Sequence, residues 1–322
     1  MNTYRPPATT THAYCRSYLQ KAVRRGQVSL ALAIAEHLSD KSVGDGAWLN
    51  QRSAIMAFEE CPQAWSTMML SDSKREGQVA WSRHQALTLI QHVTNGTKWK
   101  QATGLGVLAH FANEKPETLA DHRQDIRHHV AAVVTRITEL DRGKATAGAE
   151  QRATITPLDF AHRTFSQRQA WPWDKAFMVA AAYLDELGFV PAYASSATSI
   201  PCPPWVAVDR HTDLGKRAIT EVSLRTGQHR KVVEWVSFYA ESALLNAESI
   251  DYCGGIDWWT EERNWRLGKL GLSIDDSTQV WERLREHMRQ AVVGMAGDAL
   301  NHLQRVAETE PTHSRGIWDG PR

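Results

Sequence analysis

Apolar residues return at intervals of three and four along nearly all of this chain, and alternating β-branched runs are scarce. That period belongs to the α-helix, because residues three and four apart share a helix face. Val28, Leu32 and Ala35, with Leu30, Ile34 and Leu38, predict a short helix with two apolar stripes, hence burial on more than one side. Leu49, Ile55, Met56 and Phe58 predict a second, halted before Cys61-Pro62. Ala86, Leu87, Leu89, Ile90 and Val93 predict a third, closed by Asn95-Gly96. From Asp121 to Leu140, Ile126, Val130, Val134 and Ile137 mark an apolar face opposite Arg123, Arg127, His128 and Arg136. Ala176, Phe177, Ala180, Leu184 and Leu187 predict a helix stopped by Gly188, after which Val190 to Pro204 reads as an ordered loop. Two more helices are expected from Thr212 to Thr226 and from Lys231 to about Ala247. The last, carrying Trp281, Leu284, Met288, Val292, Met295, Ala299, Leu303 and Val306, holds its spacing for about seven turns, with Asp276 or Ser277 as N-cap. The fold class expected is all-α and multi-helical, without a repeat of fixed period.

A Gly-, Ala-, Thr- and Gln-rich stretch between Arg142 and Pro157 reads as a linker. It divides the chain into helical subdomains at 1–145 and 155–310, with a tail at 311–322. An apolar content of 42% and a charged content of 23% exclude a disordered or collagen-like chain. With 37 Lys plus Arg against 36 Asp plus Glu, net charge argues neither for nor against nucleic acid, so any basic surface must come from local clustering. The four cysteines, Cys15, Cys61, Cys202 and Cys253, form no CxxC pair and read as free thiols of a reducing cytosol. The start lacks an apolar h-region, and apolar runs such as Phe177 to Leu184 fall short of the ~20 residues that cross a bilayer. A cytoplasmic protein without a membrane partner is therefore expected. Thirteen Trp against seven Tyr and seven Phe suggest a surface that stacks on planar groups such as bases.

Several chemistries have no motif here. GxxxxGK[ST] is absent, and Gly104-Leu105-Gly106 lacks the third glycine of a dinucleotide fingerprint, so neither a P-loop nor a Rossmann core is expected. HExxH, the zinc-deaminase signature and GxSxG are also missing. His128-His129 is a poor chelate, since adjacent helix residues point about 100° apart. Neither a metal nor an organic cofactor is expected.

One constellation has the makings of a site. The run from Pro203 to Arg217 leads from a Pro-rich loop through Trp205 and a short apolar stretch into Asp209-Arg210-His211-Thr212, at the mouth of a helix carrying Lys216 and Arg217. A helix N-terminus offers unpaired N–H groups and about half a positive charge, which favours phosphate. Arg210, Thr212, Lys216 and Arg217 are the candidate phosphate ligands, and His211 when protonated would add to them. Asp209 and His211 are the candidate catalytic residues, Asp209 as the carboxylate that takes a proton from an attacking amine or water. An ordinary helix cap accounts for the same Asp and Thr.

Three further clusters stand beside it. Arg16, Lys21, Arg24 and Arg25 read either as phosphate contacts, Arg24 and Arg25 foremost, or as a solvated helix end. Arg52 with Glu59-Glu60 reads as an internal ion pair rather than catalysis. Asp257 to Trp265 offers Trp258 and Trp259, with Trp205, as base-stacking rings, while Trp258 and Trp265, seven apart, equally suit core anchors on one helix face.

Two stretches carry resemblances. Tyr18 to Trp65 resembles the helical collar that follows the ATPase core in RarA/MgsA-type clamp-loader relatives. The match rests on Leu19-Gln20-Lys21-Ala22-Val23-Arg24 and on Arg52…Glu59-Glu60, with Glu60 where that family has Asp. It implies an oligomerisation or DNA-associated helical module without ATP hydrolysis. Val208-Asp209-Arg210-His211-Thr212 is similar to the Val-Asp-Thr-His-Val segment of helix-hairpin-helix DNA glycosylases, whose Asp sits at the base pocket. The Leu-Pro-Gly-Val-Gly hairpin and its lysine are missing. The all-helical phage thymine-hypermodification enzymes, namely amino acid:DNA transferases and glutamyl/putrescinyl-thymine pyrophosphorylases, suit the chain better. That resemblance implies an enzyme of an infected host's cytoplasm that replaces the phosphate of a phosphorylated 5-hydroxymethyl pyrimidine in DNA with an amine. DNA and an amine or amino-acid co-substrate are the implied partners, with homo-oligomerisation a further expectation. A non-catalytic DNA- or replisome-binding scaffold and a divergent glycosylase are the alternatives.

Overall fold

The computed structural model describes residues 8–61, 64, 83–142, 172–189, 199–244 and 255–312. These residues are all-α, with no strand among them. The helices are α1 (Ala8–Arg24), α2 (Val28–Ser39), α3 (Gly46–Glu60), α4 (Arg83–Asn95), α5 (Gln101–Glu114), α6 (Gln124–Asp141), α7 (Pro172–Glu186), α8 (Asp213–Thr226), α9 (Arg230–Ser237), α10 (Trp258–Gly268) and α11 (Ile274–Ala307). Short 3-10 turns occupy Pro116–Asp121 and Pro204–Ala207, and a π-helical turn, Phe238–Ser242, continues α9. The expected linker, most of the loop from Val190, Cys253 and the tail beyond residue 312 lie outside the described residues.

Helix α5 is apolar or small on every side, and its residues from Gln101 to His110 are all buried. A helix of that kind belongs in the middle of a bundle, and α6, α7 and α10 pack around it. Gly104 explains the close approach of α10. A β-carbon there would overlap the Trp258–Trp259 backbone, so only hydrogen leaves room. The Gly104-Leu105-Gly106 pair thus serves helix packing.

Helix α1 is buried on several sides, with Tyr14, Cys15, Tyr18, Leu19, Ala22 and Val23 all within the core. It rests on α2, on α11 and on the turn Pro204–Ala207. One continuous apolar core runs from Tyr14 to Val306, so the expected 1–145 and 155–310 segments share it. Helix α8 and the π-turned α9 pack against α11, which places the Asp209 turn between α1 and the C-terminal helices.

Two boundaries differ from expectation. Helix α11 starts at Ile274, one turn earlier than Asp276 or Ser277 would set it. Ser273 caps it, and Asp276 closes a capping box from inside the first turn. The helix expected to reach Ala247 changes to π geometry at Phe238, where the chain must turn Glu241 and Ser242 towards α1. Among the described residues no helix is long and apolar enough to cross a membrane, and Cys15, Cys61 and Cys202 are free thiols.

Candidate active site

The centre of the site is a turn. The Asp209 carbonyl accepts hydrogen bonds from the Thr212 amide and hydroxyl, each at 2.9 Å, and the Thr212 hydroxyl oxygen accepts from the Gly215 amide at 3.1 Å. Thr212 is therefore the N-cap of α8. Gly215 is required here, because a β-carbon would overlap the Asp209 carbonyl. The expected phosphate role of Thr212 is corrected by this geometry: it is 4% exposed and its hydroxyl is spent inside the turn.

The turn aims the Asp209 side chain inward, into a polar cluster drawn from three parts of the chain. Lys21 of α1 forms a salt bridge with Oδ2, Ser242 of the π-turn donates to Oδ2 at 3.2 Å, and the His211 amide donates to Oδ1 at 2.9 Å. Burial alone would raise the Asp209 carboxyl, but the Lys21 ammonium and the His211 ring outweigh it and hold it well below the usual carboxylate range. Burial in turn lowers Lys21, against the pull of Asp209. The carboxylate is thus ionised and a weak base.

His211 is the exposed member, with 56% of its side chain open to solvent. Its Nδ1 lies 3.2 and 3.3 Å from the two Asp209 oxygens. Crowding by protein atoms lowers the imidazole below its ordinary value; Asp209 opposes this, and Arg210 and Lys21 add to it. A neutral ring beside a carboxylate places its proton on Nδ1, which leaves Nε2 as the proton acceptor. The pair has the form of an oriented general base.

Beneath this dyad lies a layer of cations on aromatic rings. The Arg210 guanidinium sits 4.0 Å from the centroid of Trp235 and 3.9 Å from that of Phe238, and Arg266 lies 4.4 Å from Trp235. Burial, with Arg266 nearby, pushes Arg210 down to about 10. Glu262 pairs with Arg266 and accepts from the Tyr239 hydroxyl at 2.9 Å. Arg210 is consequently held on rings and near Glu234 rather than offered at the surface.

The remaining expected residues divide clearly. Lys216 and Arg217 are exposed on the first turns of α8, with Lys216 3.4 Å from Asp213. Arg24 pairs with Glu60 and Glu59 and donates to the Ser242 carbonyl; Arg25, 2% exposed, binds Glu241 and the Pro201 carbonyl. Neither faces a phosphate at the surface, because α1 is an interior helix whose cations meet carboxylates of α3 and the π-turn. Arg16, with 38% of its side chain exposed, pairs with Asp45, and it is the burial of Lys21, Arg24 and Arg25 that overturns the solvated-end reading of the basic cluster. Arg52 and Glu59 do form the expected internal pair, at 2.8 Å.

Trp258, fully buried, and Trp259, 7% exposed, pack in the core and cannot stack a base as they stand. Asp257 caps α10 through the Trp259 and Thr260 amides and turns both rings inward. Trp205 is partly exposed, with Arg285 5.9 Å from its ring centroid. Ser242, Glu241, Trp235 and Phe238 were not anticipated from the sequence. No protein-family model, curated protein or solved structure matches this chain.

Proposed function

We propose that this protein is a DNA-modifying transferase that acts on a phosphorylated 5-hydroxymethyl pyrimidine and replaces its phosphate with an amine. The observation that supports this reading is the exposed His211 ring, oriented by an ionised Asp209 that Lys21 and Ser242 anchor, beside the cationic start of α8. His211 Nε2 takes a proton as the amine nitrogen bonds to the exocyclic carbon. The carbon–oxygen bond breaks, and its electron pair leaves with the phosphate. Lys216, Arg217 and the α8 N-terminus stabilise that departing charge. Asp209 is a positioning residue here, since its own basicity is too low for proton abstraction. Flipping the base costs a few kcal/mol, which contacts with a ring such as Trp205 offset by roughly 1–3 kcal/mol per stacked base.

A second reading, a non-catalytic scaffold for DNA or replication proteins, draws on the ion pairs of Lys21, Arg24 and Arg25 with carboxylates inside the fold, which equally suit a purely structural role for the Asp209 turn. The deciding experiment incubates the protein with DNA containing phosphorylated 5-hydroxymethyluridine and a mixture of amines and amino acids, then weighs the digested nucleosides. An amine adduct that His211→Gln and Asp209→Asn abolish is expected. Unchanged nucleosides overturn the proposal in favour of the scaffold, and abasic sites cleaved by mild alkali overturn it in favour of a glycosylase.

A further inference from the structure

Nearly two turns before Lys21 on α1, three helices bring together a thiol and two imidazoles. Cys15 of α1, His37 in the last turn of α2 and His302 near the end of α11 place their ligand atoms within 4.8 Å of one another. The two rings meet edge to face, with centroids 5.4 Å apart. An independent observation singles out this corner: His302 Nε2 is buried and has no hydrogen-bond partner. A buried nitrogen in that state forfeits solvation without compensation, unless something else fills its coordination.

We infer that Cys15, His37 and His302 bind a divalent transition-metal ion of the zinc type, which pins α1, α2 and α11 together. One thiolate and two imidazoles are the donor set that such borderline-soft ions select over magnesium or calcium. Tetrahedral zinc, with bonds of about 2.0–2.3 Å, holds its ligand atoms roughly 3.3–3.7 Å apart. Side-chain torsions suffice to close the present spacing, since Cys15 is fixed on a buried helix face and the imidazoles are only partly buried. These three donors leave the fourth tetrahedral position to a water molecule.

Binding takes the deprotonated thiol and the neutral imidazoles, so the incoming ion displaces the Cys15 thiol proton to solvent and forms a sulfur–metal bond in its place.

The full chain, stripped with chelator, is titrated with zinc and with cobalt(II). One equivalent of each is expected to bind. Cobalt should give the visible bands of a tetrahedral ion and a thiolate charge-transfer band in the near ultraviolet. His302→Gln should weaken zinc binding by more than the roughly 10–100-fold that loss of an outer-shell partner costs. Cys15→Ser should remove the charge-transfer band, while His128→Gln, at an exposed histidine, should change nothing. Zinc should also raise the melting temperature of the wild type but not of His302→Gln, which keeps the test informative should Cys15→Ser misfold. Failure of the wild type to bind zinc, zinc affinity unaltered by His302→Gln, or a cobalt complex without the thiolate band each overturn the proposal.

Discussion

The ammonium of Lys21 and the carboxylate of Asp209 meet across 188 positions of sequence, with only 3% and 8% of the two side chains exposed. Two charges so deeply placed stabilise each other chiefly because either alone would be stranded. Removing one partner of such a pair costs about 3–5 kcal/mol, whereas replacing both with apolar groups is often near neutral. Lys21→Met and Asp209→Leu should therefore each lower the urea midpoint strongly, and the double variant should recover much of the loss. Additive losses in the double-mutant cycle would show that the pair is not coupled.

Acid should destabilise the fold through Glu60. Burial alone would raise its carboxyl, but Lys100 and Arg24 outweigh this and bring it from 4.5 down to about 2. A depressed folded-state value means the unfolded chain binds the proton more readily. The stabilisation is complete above about pH 4.5 and is lost as pH falls towards 2. It amounts to roughly 3 kcal/mol. Asp174 has the opposite sign: burial raises it to about 6, so its contribution declines as pH rises through that value. Denaturation curves at stepped pH should show both slopes. Glu60→Gln should flatten the first and Asp174→Asn the second.

Thr212→Ala removes the cap of α8 and should cost about 1 kcal/mol, with Thr212→Ser close to the wild type. Gly215→Ala is the harsher change, because the new methyl collides with the Asp209 carbonyl. It should cost at least the 1–3 kcal/mol typical of overpacking and displace Asp209 from His211. Melting temperatures rank these variants. A Gly215→Ala protein as stable as the wild type would contradict the described turn.

Arg210→Lys keeps a positive charge but loses the flat guanidinium that lies on Trp235 and Phe238. A desolvated contact of this kind is worth about 2 kcal/mol, and a lysine recovers only part of it. The variant should melt earlier and alter the emission of Trp235. Unchanged fluorescence and stability would remove Arg210 from the ring layer.

The helices were legible because each depends on local spacing: Ala86 to Val93 with Asn95-Gly96, or Thr212 to Thr226, announce themselves within their own turns. What eluded sequence reading depends on distance. Arg24 and Arg25 look like free cations until Glu60 and Glu241 are brought beside them. Lys21 belongs to a basic run until the fold delivers it to Asp209. Trp258 could be a ring for a ligand or for the core, and the packing of α10 against α5, close at Gly104, buries it in the core. Cys15, His37 and His302 share no spacing motif, since each sits on a different helix. Asp276 reads from the sequence as a capping residue, but its partner Ser273 lies outside the apolar period that marks the helix.

The lodging of α1 against α11 has a consequence for how the protein comes into being. On a ribosome, Lys21 must idle until Asp209 has been synthesised, and Cys15 until His302 has, so neither cluster can assemble during most of translation. Contacts this distant in sequence slow folding, because long stretches of chain must close before they are rewarded. Helix α1 therefore keeps the flank that faces α11 uncovered until the end of the chain has been made, and exposed apolar surface of that kind is what makes folding intermediates prone to aggregate.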